Sequence, residues 1–224
     1  ELNINLSLGE NYLEGLKNQD LIMRTPGFEF FTKELQDELK GGTEVASEME
    51  LFFRLCPCKI YAVTGSDGKT TTTSLIAKML EESGRKVYLG GNIGRALLPI
   101  AEEVEETDVA AVELSSFQLI SMKQSPDVAV VTNVTPNHLD HHKDMQEYID
   151  AKRNILIYQN EKCKAVLGYE NDVSRGMEAD VKGSVRFFTR LSKIDNGGFI
   201  DDAGYLTLDG RQIVHQSEVA LRGL

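Results

Sequence analysis

Residues 59–80 read KIYAVTGSDGKTTTTSLIAKML. The first six are apolar enough for a buried parallel strand. A glycine loop follows at once. Then comes a helix with Leu75, Ile76, Met79 and Leu80 on one side, closed by Gly84 as its C′ residue. Strand, glycine loop, Gly-Lys-Thr and helix together make an anion cradle. Gly65 and Gly68 let backbone N–H groups approach a phosphate closely, and the helix N-terminus adds its own unpaired donors. The expected phosphate contacts are Gly65, Ser66, Asp67, Gly68, Lys69, Thr70 and Thr71. Lys69 would reach the outer phosphates, and the Thr70 hydroxyl would ligate Mg²⁺. The full pattern G-x-x-x-x-G-K-[ST] is not met, because Val63 stands where its first glycine belongs. Asp67 must face outward, since a carboxylate inside the cradle would repel phosphate.

Working outward, strands and helices alternate. Downstream, apolar runs at 86–91, 109–114, 128–134, 164–168 and 185–189 read as strands, with helical spacing over 96–106 and 144–159. From Gly197 short strands join at DDAG and LDGR, the Asp-Gly pair marking a hairpin. Upstream, 20–27 reads as a strand ending in Pro-Gly, 30–39 as a helix and 43–46 as a strand. Ser47 and Glu50 have capping-box spacing before LFFRL. The expected class is α/β, a parallel-sheet P-loop-type ATPase domain with helices on both faces. Ligands of such sheets sit at the carboxyl ends of the strands.

Composition narrows the function. The 224 residues carry 24 Lys+Arg against 35 Asp+Glu, a net charge of −11, which argues against general nucleic-acid or anionic-membrane binding. No apolar run approaches a membrane span, and no signal peptide opens the chain. Three cysteines are too few for a disulfide framework, and Cys56-Pro-Cys58 reads as small buried thiols. The default is a cytoplasmic protein. The start at Glu1 and the end on VALRGL suggest a fragment of something longer.

Three further positions invite chemistry. Glu113 closes a buried strand, either solvated at the sheet edge or holding a metal, and Ser115, Ser116 and Gln118 follow it into the crevice. His138, Asp140, His141 and His142 end the next strand. A zinc cluster is one reading, although no cysteine pair or H-E-x-x-H spacing supports it. A His beside a Mg–phosphate site is the other, with His141 and His142 read as exposed loop residues. Lys152 lies on the apolar stripe of Met145, Tyr148, Ile149, Ile155 and Leu156. Periodicity alone reads it as snorkelling outward.

TGSDGKTTTTSLIAKML, GGNIG (90–94), ELSSFQL (113–119), NVTPNHLDHH (133–142) and YIDAKRNILIYQN (148–160) occur in this order. Together they closely resemble the Mur ligases of peptidoglycan synthesis, and GGNIG with ELSSFQL resembles the D-glutamate-adding branch. The resemblance implies an ATP-dependent carboxylate–amine ligase whose substrates are UDP-N-acetylmuramoyl-L-alanine and D-glutamate, acting through an acyl phosphate. It implies two Mg²⁺ ions, one on Thr70 and Glu113, the other on His138 and the carbamate of Lys152. Lys69, His138 and Lys152 would then be catalytic. Asn92, Ser115 and Gln118 would contact the muramoyl-alanine part. Residues 1–57 would be part of a Rossmann-like UDP-binding domain, with Thr25–Gly27 near the uracil. Residues 58–224 would be most of the central ATP-binding domain. The amino-acid-binding third domain would be missing, so this chain alone is not expected to turn over. Asp67 stands where the family often has asparagine. A cytoplasmic monomer is expected. Two competing readings stand: another Mur-type or folylpolyglutamate-type ligase, and a nucleotide-binding module without ligase activity.

Overall fold

The computed structural model describes residues 4–137 and 141–219. An exposed 3-10 helix, Gly9–Leu16, precedes a two-stranded parallel sheet of β1 (Leu21–Met23) and β2 (Glu44–Ala46), linked through α1 (Lys33–Gly41). The predicted helix from Phe30 starts three residues late, because Phe30 and Phe31 pack edge to face at 5.2 Å ahead of it. α2 (Glu48–Leu55) begins with the predicted capping box. Ser47 Oγ accepts from the Glu50 N–H at 3.2 Å, and Glu50 Oε2 accepts from the Ser47 N–H at 2.8 Å.

The alternating part follows: β3 (Lys59–Thr64), α3 (Lys69–Glu82), β4 (Val87–Gly91), β5 (Val109–Glu113), α4 (Ser116–Leu119), β6 (Val128–Val131), α5 (Met145–Ile157), β7 (Lys164–Gly168), α6 (Asp172–Gly176) and β8 (Ser184–Phe188). β9 (Gly197–Ile200), β10 (Tyr205–Leu208) and β11 (Arg211–His215) complete it. All nine strands from β3 form one sheet in the order β11-β10-β9-β8-β7-β6-β3-β5-β4. Pairing is parallel from β4 across to β9 and antiparallel in β9-β10-β11. β3 to β4 steps across the sheet one way, and β6 to β7 steps the other. Right-handed crossovers therefore put α3 and α5 on opposite faces. All five residues of β5 are buried, as a strand covered on both faces requires. Ile60, Ala62, Val112, Val131, Leu119 and Leu156 belong to one core cluster spanning the sheet and its helices.

Two ends follow their sequence signals. Gly84 has φ +85, its N–H donates to Glu81 O at 2.9 Å, and Arg85 N–H donates to Leu80 O at 3.1 Å, a Schellman close of α3. Asp209 (φ 50) and Gly210 (φ 76) turn β10 into β11, as the Asp-Gly pair predicts.

The helix expected over 96–106 is not formed. Only a 3-10 turn, Leu98–Glu103, stands there. Pro99 has no N–H to give and fits only a first turn. Glu102, Glu103, Glu105 and Glu106 would crowd carboxylates at the negative end of any longer helix. Val104 instead turns extended, at φ −84 and ψ 126. The strand expected over 128–134 stops at Val131. Thr132 N–H still donates to Thr64 O at 3.0 Å, but the side chains of Thr132 and Asn133 turn to hold the loop after β3. Among the described residues, no helix is long and apolar enough to cross a membrane.

Candidate active site

The loop between β3 and α3 is shaped by its neighbour. Gly65 has φ +148, and a Cβ there would lie 1.8 Å from Thr132 Oγ1. No other residue fits. Thr132 Oγ1 donates to Asp67 O at 2.6 Å, and Asn133 holds both sides of the Asp67 peptide. Its Oδ1 accepts from Asp67 N–H at 3.1 Å, and its Nδ2 donates to Asp67 O at 3.2 Å. Ser66 N–H donates to Asn133 O at 2.8 Å, and Ser66 Oγ donates to Thr135 O at 2.9 Å. Asp67 is exposed.

α3 starts behind Gly68, itself at φ +79. The first helical bond is Thr72 N–H to Gly68 O at 3.0 Å. The N–H groups of Lys69, Thr70 and Thr71 therefore precede the helical ladder, an anion-facing arrangement. Lys69 Nζ folds back and donates to Ser66 O at 2.9 Å. In the first turn, Thr70 Oγ1 donates to Glu113 Oε2 at 2.7 Å. Glu113 is 1% exposed at the end of β5, so the solvated-edge reading fails. Its other oxygen accepts from Asn92 Nδ2 at 2.8 Å, and Asn92 N–H donates to Glu113 O at 2.8 Å. Gly91 permits this approach: its φ is +97, and a Cβ would meet Glu113 O at 2.2 Å. Thr70, Asn92 and Glu113 thus come from three elements to one point.

Lys152 does not snorkel. It is 1% exposed, from α5 on the far face. Its Nζ donates to Gly65 O at 2.9 Å and Thr64 Oγ1 at 3.3 Å, and lies 4.6 Å from the centroid of the Tyr148 ring. Burial pulls its pKa down to about 7, and the charge of Lys69 pushes the same way. A largely buried amine that sheds its proton near neutrality is nucleophilic there. Tyr148 completes the wall, its hydroxyl 3.0 Å from Ser66 Oγ.

Ser115 and Gln118 hold each other. Ser115 Oγ accepts from Gln118 N–H at 3.2 Å, and Gln118 Oε1 accepts from Ser115 N–H at 2.9 Å, a capping box that starts α4. The S-x-x-Q spacing carries that signal in sequence. His142 is buried, not an exposed loop residue. Its ring stacks on Phe117 at 5.2 Å and 4°, with Nε2 2.9 Å from Ser116 Oγ and Nδ1 3.0 Å from Glu147 Oε1. Two segments, α4 and the first turn of α5, supply those partners, and the stacking and the Ser116 contact come from 25 and 26 residues away, which no local pattern reveals. His138 and Asp140 lie outside the described residues. Among the described residues, no group of three or more His, Cys, Asp or Glu is placed to hold a metal.

Arg24 joins the first segment to this site. It is 4% exposed, and its guanidinium donates to Phe28 O at 2.9 Å, Phe117 O at 2.6 Å and Ser121 Oγ at 3.2 Å. Ser121 Oγ in turn donates to Glu50 Oε2 at 3.0 Å. A cavity of about 910 Å³ opens beside it, lined by Pro26, Phe30, Phe117 and His142 among others.

Comparison with known proteins identifies the family. The Mur ligase middle domain model matches residues 63–216. The UDP-N-acetylmuramoylalanine–D-glutamate ligase of Acetivibrio thermocellus is 49% identical over 226 residues, covering 100% of this chain and 48% of that protein. The ligase of the same name from Ruminiclostridium cellulolyticum is 51% identical over 196 residues, covering 88% of this chain and 42% of that protein. The chain therefore spans about half the length of the curated relatives it matches. Among solved structures, the UDP-N-acetylmuramate:L-alanyl-gamma-D-glutamyl-meso-diaminopimelate ligase from Neisseria meningitides has a TM-score of 0.59 at 16% identity, over 86% of this chain and 66% of that one. The UDP-N-acetylmuramate–alanine ligase from Thermotoga maritima has a TM-score of 0.53 at 16% identity, over 87% of this chain and 45% of that one. Those two likenesses establish the fold. Phosphate loop, sheet order, family model and near-half identity all converge, and the chain belongs to the Mur ligase family.

Proposed function

We propose that this chain is the ATP-binding core of an ATP-dependent ligase that adds D-glutamate to UDP-N-acetylmuramoyl-L-alanine in peptidoglycan synthesis. The observation that carries it is the 2.7 Å bond from Thr70 Oγ1 to Glu113 Oε2, which sets two hard oxygen donors side by side beneath the phosphate loop. The oxygen chemistry of this pair fits Mg²⁺, which, when bound, offsets the charge between ATP and a substrate carboxylate. Thr70 and Glu113 would hold one ion. His138 and Lys152 would hold a second. The N–H groups of Lys69, Thr70 and Thr71 at the start of α3 and the Lys69 ammonium orient the triphosphate, since phosphoryl transfer is chiefly positioning plus charge neutralisation. Those of Ser66 and Asp67 are held by Asn133. The carboxylate of the muramoyl-alanine substrate takes the γ-phosphoryl group to give an acyl phosphate. The amine of D-glutamate then attacks the acyl carbon and expels phosphate. Asn92, Ser115 and Gln118 face the muramoyl-alanine part.

Lys152 acts as its carbamate in this reading. CO₂ adds to the neutral amine and a proton leaves, turning a cation into a carboxylate on a long arm. Burial at the Gly65 carbonyl supports that role, because it pulls the pKa down to about 7 and so makes the neutral amine accessible near neutral pH. Residues 1–57 supply part of a UDP-binding domain, and 58–224 most of the central one. The enzyme works as a cytoplasmic monomer.

The test is phosphate release from ATP by a full-length ligase carrying this segment, supplied with UDP-N-acetylmuramoyl-L-alanine and one amino acid at a time. Stimulation by D-glutamate alone is expected. Stimulation by another amino acid moves the chain to a different branch, and none at all removes the ligase reading. Lys152→Ala should lose activity that added short-chain carboxylates restore in part.

A further inference from the structure

Cys56 and Cys58 flank Pro57 in the link from α2 to β3, at the end of the sheet opposite the phosphate loop. Their Sγ atoms are 3.5 Å apart. The backbone explains the approach. Cys56 is extended at φ −69 and ψ 117, and in extended chain residues i and i+2 face the same way. Pro57 fixes its own φ and so stiffens the pair. Both flanks are anchored: Cys56 N–H donates to Phe52 O at 2.8 Å, and Ile60 N–H donates to Asp127 Oδ2 at 2.8 Å. A disulfide needs a sulfur separation of about 2.0 Å, so side-chain rotation plus a small backbone adjustment closes the remaining gap of roughly 1.5 Å.

The two thiols differ in access and acidity. Cys56 is half-buried, while Cys58 is buried at 5% exposure. The hydrogen bond between them holds the Cys56 thiol below its ordinary range, and the same bond with burial pushes Cys58 up. Such asymmetry divides the labour of a redox pair, with the accessible, more acidic thiol reacting first. None of the nucleotide chemistry uses either residue.

We propose that Cys56 and Cys58 form a redox-active dithiol, a modification site at which a hydroperoxide oxidises Cys56 and Cys58 resolves the product to an intrachain disulfide. The Cys56 thiolate attacks the outer peroxide oxygen. The O–O bond breaks, Cys56 becomes a sulfenic acid, and the alkoxide or hydroxide leaves and takes a proton. Cys58 sulfur then attacks Cys56 sulfur. The S–O bond breaks, and hydroxide departs as water with the Cys58 proton. Two thiols are oxidised, one peroxide is reduced to an alcohol or water, and one further water forms. A dithiol reductant reverses the step by exchange.

Trypsin isolates the pair, since cleavage after Arg54 and Lys59 releases LCPCK, residues 55–59. The chain, folded, is exposed to hydrogen peroxide, alkylated and digested. The expected result is an unalkylated 55–59 peptide lighter by two hydrogens, restored to double alkylation by a dithiol reductant, with Cys163 still alkylated. A doubly alkylated 55–59 peptide after oxidation, or oxidation of Cys163 first, overturns the proposal. The order is read with dimedone, which traps sulfenic acids. Cys58→Ser should carry the adduct on Cys56, and Cys56→Ser should carry none on Cys58. Equal labelling of the two variants in the folded state overturns the assigned roles.

Discussion

Thr70 and Glu113 lie side by side through the register of the sheet. β3 pairs with β5 so that Val63 stands opposite Glu113, and the chain leaving β3 returns within seven residues to set Thr70 Oγ1 2.7 Å from Glu113 Oε2. Neither residue is positioned by its own sequence neighbours alone.

Glu113→Gln keeps the shape of this junction and removes its charge. An amide oxygen still accepts from Asn92 or Thr70, so thermal stability should move little. The affinity of the full-length ligase for ATP with Mg²⁺ should fall at least ~10-fold, about 1.4 kcal/mol. Affinity without Mg²⁺ should be unchanged or stronger, because a negative charge has gone. Titration calorimetry with and without the metal checks this, and an unaltered Mg²⁺ dependence would take Glu113 out of the metal site.

Lys152 should leave a signature in stability against pH. Its folded pKa is lowered to about 7 from 10.5. Between those values the unfolded chain binds a proton that the folded one does not, so folding stability rises with pH. The rise is at most about 1.4 kcal/mol per unit for one proton. Below about pH 7 both states are protonated, and the full penalty is present. Urea denaturation at several pH values in CO₂-free buffer should show this slope. Lys152→Met should flatten it. Equal slopes in the two proteins would mean that the buried amine keeps its proton.

Gly65 can be tested through its neighbour. Gly65→Ala forces a methyl against Thr132 Oγ1 and strains a φ of +148, so a loss of about 2–4 kcal/mol is expected. Thr132→Ala alone loses the bond to Asp67 O, about 1 kcal/mol. The double variant should be more stable than the sum of the two predicts, since the 1.8 Å clash is removed while the 3.1 Å contacts with Asn133 O and the Cβ of residue 132, and the φ strain, stay. A purely additive pair in denaturant titrations would place the strain elsewhere.

Arg24→Met removes donors to three backbone carbonyls and Ser121 Oγ, and leaves Glu50 buried without its countercharge. The expected loss is about 3 kcal/mol. The contact of Arg24 with Phe117 O also predicts faster hydrogen exchange over α4. Protection of that helix unchanged in the variant would confine Arg24 to its own segment.

The parts of the molecule that were legible in sequence are those set by local pattern. Apolar runs marked β3, β5 and β6, glycine placement marked the phosphate loop, and S-x-x-E marked the start of α2. Over 96–106 the apolar spacing points to a helix, while Pro99 and the carboxylates behind it limit the chain to the 3-10 turn at 98–103. What stayed hidden depends on segments distant in the chain. Thr132 and Asn133 shape the loop only because β6 lies beside β3, and His142 is buried only because Ser116 and Glu147 meet it. Lys152 was the intermediate case. Its place on an apolar stripe was visible, but the carbonyl it meets belongs to Gly65.

The central position of β3 also bears on how the chain acquires its fold. Val63 pairs with Glu113, and Thr64 with Val131, so both partners of the strand are made long after it. During synthesis β3 waits with two unpaired edges, and closing those separations is slow beside the β10–β11 hairpin, whose strands are neighbours. An apolar strand held open in that way invites pairing with other chains. Dependence on a chaperone, or on dilution during refolding, should therefore concentrate on β3.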